Sequence, residues 1–183
     1  MIINYLKKQL FKPSLLGLFI NPFFFARRGL YNAIVQNATY ISGKTLDVGC
    51  GQKPYQHLFK TTEYIGLDIE VSGHNHTDSK VDVFYDGKIM PFESASFDSV
   101  ISNQVLEHVF NPYDFLKEIN RVLKTGGYVF IAENTSNYQD VHYWNYRSKE
   151  LYIDLFKSFE IIQADNYIEA LEDISMFIMK KRG

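Results

Sequence analysis

An acid set inside a glycine-rich loop is the first chemistry the chain offers. Leu46-Asp47-Val48-Gly49-Cys50-Gly51 ends an apolar run with Gly-x-Gly, which lets backbone approach a ligand closely at the carboxyl edge of a strand. Asp68 comes seventeen residues after Gly51 and closes a second apolar run, Tyr64-Ile65-Gly66-Leu67-Asp68. A carboxylate at the tip of a second strand suits ribose hydroxyls. A dinucleotide would ask for glycine at position 54, where the chain has Pro54. Asp47 within the loop also suits a cationic amino group better than a pyrophosphate. The pattern disfavours NAD.

Two further groups could act on a substrate. Gln104, Glu107 and His108 are spaced i, i+3 and i+4, which places them on one helical face if a helix starts at Asn103. His108 could deprotonate an acceptor hydroxyl near neutral pH, or serve as a hydrogen-bonded structural histidine. The segment Asn134 to Arg147 is polar and aromatic, with His142-Tyr143-Trp144-Asn145-Tyr146-Arg147 at its end. It falls after the fifth strand, at the sheet edge where α/β sites form. Its side chains either contact the acceptor or pack on the following helix. Cys50 has no nearby base in sequence and reads as a small buried side chain. His74, Asn75, His76 and Asp78 read as a solvated loop, short of the ligands and spacing a zinc site needs.

The elements that must position these residues follow from apolar periodicity. Strands centre on Leu46, Ile65, Val83, Val100 and Phe130. A helix begins at Asn111-Pro112, buries Leu116, Ile119, Val122 and Leu123, carries Arg121 and Lys124 in its last turn, and ends at Gly126-Gly127. Such alternation implies a parallel sheet covered by helices on both faces. A helix from about Ser148 to Lys157 precedes two apolar runs, Phe159 to Ile162 and Ile174 to Met179, which read as a hairpin adding an antiparallel strand. Ahead of the sheet, Asn21-Pro22 supplies an N-cap and N1 proline. Leu30, Ile34, Ala38 and Ile41 then recur at helical spacing, and Gly43 ends the run. Residues 1–43 thus form a helical arm or cap, and 44–183 the main domain.

A chain of 183 residues, 46% hydrophobic and 22% charged, can bury one real core and is not disordered. Its single cysteine suits a reducing cytosol. The apolar stretch Ser14 to Ala26 is broken by Asn21-Pro22 and falls short of the roughly 20 residues a spanning helix needs. The expected location is cytoplasmic, where the sequons at Asn37, Asn75 and Asn134 have no use. Charge is uneven: residues 1–44 hold Lys7, Lys8, Lys12, Arg27, Arg28 and Lys44 with no acid, while the rest is acidic. Eight aromatics share that arm. It suits peripheral contact with an anionic inner membrane surface, a lid over the site, or a solvated helical face. The acidic body argues against nucleic acid as a partner.

Five motifs stand in a recognisable order: Leu46-Asp47-Val48-Gly49-Cys50-Gly51, Gly66-Leu67-Asp68, Met90-Pro91-Phe92 with Ser96-Phe97-Asp98, Val105-Leu106-Glu107-His108-Val109, and Arg121-Val122-Leu123-Lys124-Thr125-Gly126-Gly127. From Lys44 to Lys180 the chain resembles class I S-adenosylmethionine-dependent methyltransferases, in the subgroup often called methyltransferase type 11. The resemblance implies a Rossmann-like, doubly wound, seven-stranded sheet, mostly parallel with an antiparallel last strand, below the N-terminal helical cap. It assigns Asp47, Gly49, Cys50 and Gly51 to the methionine end of S-adenosylmethionine. Asp68 goes to the ribose, Ile69 to the adenine, Asp86 with Gly87 to the adenine amino group, and Gln104 to the region of the sulfonium. It places His142, Tyr143, Tyr146 and Arg147 along the acceptor, although the proline-containing ending usual before that loop is replaced by Ala132-Glu133-Asn134. Some metal-dependent relatives use Glu-x-x-Glu-His and a later histidine. Here Glu107, His108 and His142 could supply part of that set, but Gln104 replaces its first carboxylate, so no metal is expected. The implied activity is methyl transfer to an oxygen or nitrogen of a small-molecule, glycan or lipid-linked acceptor. The alternative is a non-catalytic module that binds S-adenosylmethionine and regulates a partner.

Overall fold

Each of the five apolar runs becomes a strand, and the two terminal runs become a hairpin. The computed structural model describes Phe11 and residues 24–70, 79–135, 149–167 and 173–183. In chain order these form α1 (Phe24–Asn37), β1 (Ser42–Val48), β2 (Lys60–Ile69), β3 (Val83–Tyr85), β4 (Phe97–Asn103), α2 (Pro112–Val122), β5 (Leu123–Thr135), α3 (Lys149–Leu155), β6 (Phe159–Tyr167) and β7 (Asp173–Lys181). The strands make one seven-stranded sheet in the order β3-β2-β1-β4-β5-β7-β6. Strands β1 to β5 are mutually parallel, and β7 runs antiparallel between β5 and β6. The direction of winding reverses at β1, whose neighbours are β2 and β4. Doubly wound sheets bind ligands at such a reversal, outside the carboxyl ends of the strands.

Central parallel strands are buried on both faces, so successive residues feed two different cores. Leu46, Val48, Leu67, Val100, Val129 and Ile131 point to the face covered by α2 and α3, where Phe115, Leu116, Ile119, Tyr152, Leu155 and Phe156 are buried. Ile101, Phe130, Ala132, Met176 and Ile178 point to the other face, against Leu30, Ala33 and Ile34 of α1 and Tyr55 and Phe59 from the segment after β1. The N-terminal helix is therefore part of the second core and belongs to the packing of the sheet itself.

Helix α2 starts where its capping residues predict. The Asn111 side chain accepts the Asp114 N–H at 3.3 Å, and Pro112 occupies the first turn, where a missing N–H costs nothing. Its end differs from expectation. The helix stops at Val122, and Leu123 and Lys124 already belong to β5. Gly126 and Gly127 lie inside that strand, past the helix end, and Lys124 pairs with Asp98 of β4 at 2.7 Å. The sheet claims these residues because Leu123 pairs with Phe97 before the register shifts to Tyr128 opposite Ser99. Gly43 likewise lies within β1, at a register shift, and the helical run ends earlier, in a 3-10 turn over Ala38–Tyr40. Asn21 and Pro22 are outside the described residues.

Two polar clamps explain motifs that carry no chemistry. Arg121 donates from Nη1 to the Phe92 carbonyl at 2.7 Å and from Nη2 to the Met90 carbonyl at 2.9 Å. It is held by Glu118, which also accepts the Met90 N–H at 2.9 Å. Met90-Pro91-Phe92 is thus fastened to α2. Asp98 accepts the Lys44 N–H at 2.8 Å and ties the start of β1 to β4.

Candidate active site

The carboxyl edge at the switch point gathers acidic side chains from adjacent strands. Going outward from β1, Asp47 stands within β1, Asp68 near the end of β2, and Asp86 just after β3. Gln104 follows β4 on the other side. With strands about 4.8 Å apart, these four positions span roughly 15 Å of one edge. Among the described residues, the cofactor residues expected from sequence thus share a single line.

The loop after β1 is shaped by tight backbone contacts. Gly49 and Cys50 both donate their N–H to the Leu67 carbonyl, at 2.8 and 3.2 Å. Gly49 has φ +72°, and a Cβ there would overlap Val105 Cγ2, so only glycine fits without displacing the turn after β4. The Gly51 N–H donates to Asp68 Oδ2 at 3.2 Å, while Asp68 Oδ1 accepts the Ile69 N–H at 2.9 Å. Asp86 is exposed and accepts N–H groups from Lys88 at 2.9 Å and Ile89 at 3.4 Å, which hold its carboxyl below the usual range. Gly87 lies against Ile69, where an added Cβ would sit 3.5 Å from Ile69 Cγ2.

Asp47 is buried and points to the α1 side of the sheet. Tyr64 donates its hydroxyl to Asp47 Oδ2 at 2.7 Å. Burial, ahead of the opposing effects of that hydrogen bond and of Lys53, pushes the Asp47 carboxyl up to about 7. Lys53 lies over Gly66 and pairs with Asp82, which also accepts the Gly66 N–H at 2.6 Å. Burial pushes the Cys50 thiol up to about 12, with Asp47 and Asp68 adding to the effect, so this thiol is a poor nucleophile.

The turn after β4 departs from the expected helix. Gln104 has φ +56° and donates its N–H to the Ala132 carbonyl at 2.8 Å, and only a 3-10 turn, Leu106–His108, follows. Gln104, Glu107 and His108 therefore do not share the face of an α-helix. The strand continues to Asn103, and the sheet hydrogen bonds it makes compete successfully with helix formation. Glu107 is buried, and His108 is 42% exposed with Nε2 3.4 Å from Glu107 Oε1. Glu133, which the sequence marks only as part of the Ala132-Glu133-Asn134 replacement, is fully buried near the end of β5 and holds this turn, accepting the N–H groups of Val105 and Leu106 at 3.0 and 3.1 Å. Its signal was parity: Val129, Ile131 and Glu133 share one strand face. His142, Tyr143, Tyr146 and Arg147 lie outside the described residues, as do His74, Asn75, His76 and Asp78. No group of three metal-ligating side chains is assembled among the described residues.

Sheet order defines a class: a doubly wound α/β fold that carries Asp47, Asp68 and Asp86 at or beside its switch point. Residues 46–131 match the family described as a methyltransferase domain, type 11. Over that segment, just under half of its length, the chain is similar to the S-adenosylmethionine-dependent methyltransferases of that group. A fatty-acid O-methyltransferase from Mycolicibacterium smegmatis is 27% identical over 161 residues, covering 79% of this chain and 58% of that protein. The chain spans about three fifths of the length of the curated relatives it matches. Among solved structures, geranyl diphosphate C-methyltransferase from Streptomyces coelicolor superposes with TM-score 0.64 at 11% identity, covering 88% of this chain and 81% of that one. The cyclase SpnF superposes with TM-score 0.69 at 16% identity, over 86% and 82%. These likenesses establish the fold; a cyclase among them shows that the fold alone does not choose the reaction.

Proposed function

We propose that the chain transfers a methyl group from S-adenosylmethionine to an oxygen, or else a nitrogen, of a small-molecule, glycan or lipid-linked acceptor. The observation that carries this reading is the line of Asp86, Asp68, Asp47 and Gln104 along one sheet edge, within the matched family segment. The residues fit the cofactor's chemistry. Asp68 offers a carboxylate to a ribose diol, and Ile69 beside Gly87 offers an apolar wall to adenine. Asp86 accepts from an amino group, and the Gly49-Cys50-Gly51 backbone leaves room for the methionine end with Asp47 beneath it. The bound cofactor supplies an electrophilic methyl on a sulfonium. The chain's own task is to hold the acceptor nucleophile in line with it, which for well-oriented reactants accounts for roughly 7–11 kcal/mol of barrier. His108, beside Glu107, is the candidate to take the acceptor's proton.

An apolar carrier for the acceptor is supported by Phe110 and Tyr113. These large side chains lie exposed just after the Leu106–His108 turn. The fatty-acid substrate named for the Mycolicibacterium relative agrees with this. No helix among the described residues is long and apolar enough to cross a membrane. The burial of Leu30, Ala33 and Ile34 against the sheet supports a structural cap for residues 24–37.

Calorimetry with S-adenosylmethionine and S-adenosylhomocysteine, on wild type and Asp68→Ala, tests the proposal. Wild type should bind both, and the variant should lose at least tenfold in affinity, as for a charge-assisted hydrogen bond. Absence of binding by wild type would overturn it. Transfer of labelled methyl from S-adenosylmethionine to a component of a cell extract separates an enzyme from a binding-only module.

A further inference from the structure

The layer formed by α2 and α3 leaves a groove of about 590 Å³ that the methyl-transfer reading does not use. Tyr113, Leu116, Lys117 and Asn120, spaced i, i+3, i+4 and i+7, line it from one face of α2. Leu155, at the end of α3, and Lys157, in the 3-10 turn before β6, line it from the other side. Arg182 joins them just after β7, at the amino edge of the sheet. Lys181 fixes that segment against α2, donating to the Asn120 and Leu123 carbonyls at 2.6 and 2.7 Å.

Charge and exposure set this groove apart from the rest of the chain. Among the described residues Lys117, Arg121, Lys157 and Arg182 line it against one acid, Glu118, in a chain whose net charge is −2. Arg121 and Glu118 engage each other and the Met90–Phe92 segment. Lys157 meets Asp154 at 3.5 Å, with both side chains more than half exposed, a pair that water largely screens. Neither Lys117 nor Arg182 belongs to an ion pair among the described residues. Beneath these cations the floor is apolar, made by Leu116 and Leu155. Toward the carboxyl edge Tyr113 is 55% exposed, and Phe110, three residues earlier, is fully exposed.

We propose that this α2–α3 face docks on an anionic lipid surface, with Phe110 and Tyr113 entering the interface and Lys117, Lys157 and Arg182 meeting acidic head groups. Aromatic side chains settle at the boundary of acyl chains and head groups, and each cation nearby adds attraction to acidic lipid. Helix α2 has 11 residues, about 16 Å of length, so one face lying on the bilayer brings both ends into contact. A protein partner fits less well. Lysine is depleted in protein interfaces, and two of the three available cations are lysines. Phe110, exposed over its whole surface, needs an apolar medium and no shaped pocket. Because Phe110 follows His108 by two residues, docking sets the turn that carries Glu107 and His108 close to the lipid. The inference rests on the lipid-linked form of the methyl-transfer reading for its purpose, while the binding belongs to the surface itself.

Vesicle flotation tests the docking surface. Wild type should float with vesicles of equimolar phosphatidylcholine and phosphatidylglycerol, and stay behind with phosphatidylcholine alone. A triple variant carrying Lys117→Glu, Lys157→Glu and Arg182→Glu should lose at least about tenfold in partitioning, and Phe110→Ser with Tyr113→Ser at least about threefold. Lys60→Glu, a reversal of exposed charge outside the groove, should bind as wild type does. Wild type that ignores the anionic vesicles overturns the proposal. So does a triple variant that floats like wild type. An equal loss for Lys60→Glu and for Arg182→Glu alone would make net charge the cause and overturn it too. If wild type ignores vesicles but binds polyglutamate, and the triple variant does not, the occupant is an acidic protein and the lipid proposal falls. Equal thermal midpoints show that the variants are folded; if the triple variant is not, Lys117→Gln with Arg182→Gln carries the same test with a smaller loss. Calorimetry with S-adenosylhomocysteine separates the two readings, and the variants should bind it within about twofold of wild type, since the groove lies away from the carboxyl edge. Vesicle binding without S-adenosylhomocysteine binding would remove the methyl-transfer reading and leave the docking surface standing.

Discussion

Glu133 and Val105 are joined through a buried carboxyl: Glu133 Oε1 accepts the Val105 N–H at 3.0 Å. The same oxygen accepts the Leu106 N–H at 3.1 Å, so the end of β5 fixes the turn that carries Glu107 and His108. The other oxygen, Oε2, is buried with no partner among the described residues. One side chain thereby sets where β4 stops and where the candidate base begins.

That arrangement has a pH signature. Burial pushes the Glu133 carboxyl up to about 8, against the lowering effect of the Val105 and Leu106 N–H groups and with Glu107 adding to the rise. The unfolded chain releases this proton near 4.3. Between about pH 4.3 and 8 the folded chain holds a proton that the unfolded chain has lost, so stability falls as pH rises through that window. Asp47, pushed up to about 7, acts in the same direction over a narrower range. The urea midpoint of wild type should drop from pH 5 to pH 8, and Glu133→Gln should flatten part of the drop while keeping an acceptor for the turn. An equally steep drop in the variant would show that Glu133 is already ionised when folded. Glu133→Ala should lose about 2–4 kcal/mol at pH 5, because two buried N–H groups lose their acceptor.

Gly49→Ala tests the loop. The residue has φ +72° and a Cβ would collide with Val105 Cγ2, so the variant carries both backbone strain and a steric clash. A loss of about 1–3 kcal/mol in urea unfolding is expected from the strained conformation. S-adenosylhomocysteine binding should weaken beyond the stability loss, since the Val105 turn must move. An unchanged midpoint would mean the turn yields freely.

Arg121 is expected to be intolerant even of lysine. Its guanidinium serves the Met90 and Phe92 carbonyls and both oxygens of Glu118 at once, which a single ammonium cannot reproduce. Arg121→Lys should lose about 1–3 kcal/mol in thermal or urea unfolding. A double-mutant cycle with Glu118→Gln should show coupling, because the two side chains form one clamp. Additive losses would reduce the clamp to separate surface contacts.

His108 separates proton transfer from structure. If it takes the acceptor's proton, His108→Gln lowers methyl transfer by about 10²–10⁴ while S-adenosylhomocysteine affinity stays within twofold. A variant that transfers methyl at the wild-type rate would leave orientation alone to account for catalysis.

Much of the fold was legible because burial on a parallel sheet imposes continuous apolar runs. The strand centres at Leu46, Ile65, Val83, Val100 and Phe130 all lie in strands, and the Asn111-Pro112 cap starts α2 where expected. Boundaries were less legible where two elements compete for the same residues. Leu123, Lys124 and Gly126-Gly127 suit a helix end as well as a strand start, and pairing with β4 decides for the strand. In the candidate site, residues clustered near motifs could be named in advance. The role of Glu133 could not, because it reaches the Val105 turn from a distant strand.

The sequence by itself determined the order of the strands and the start of α2, the glycine loop with its internal acid, and the acid at the tip of β2. Each depends on local periodicity or on a residue's intrinsic backbone range. Only the tertiary structure decided that α1 packs into the second core, that Arg27 meets Gln104, and that Glu133 holds the Val105 turn. These contacts join residues 77 and 28 positions apart. No local spacing encodes such pairs, and they come together only once the sheet has set which side chains share a face.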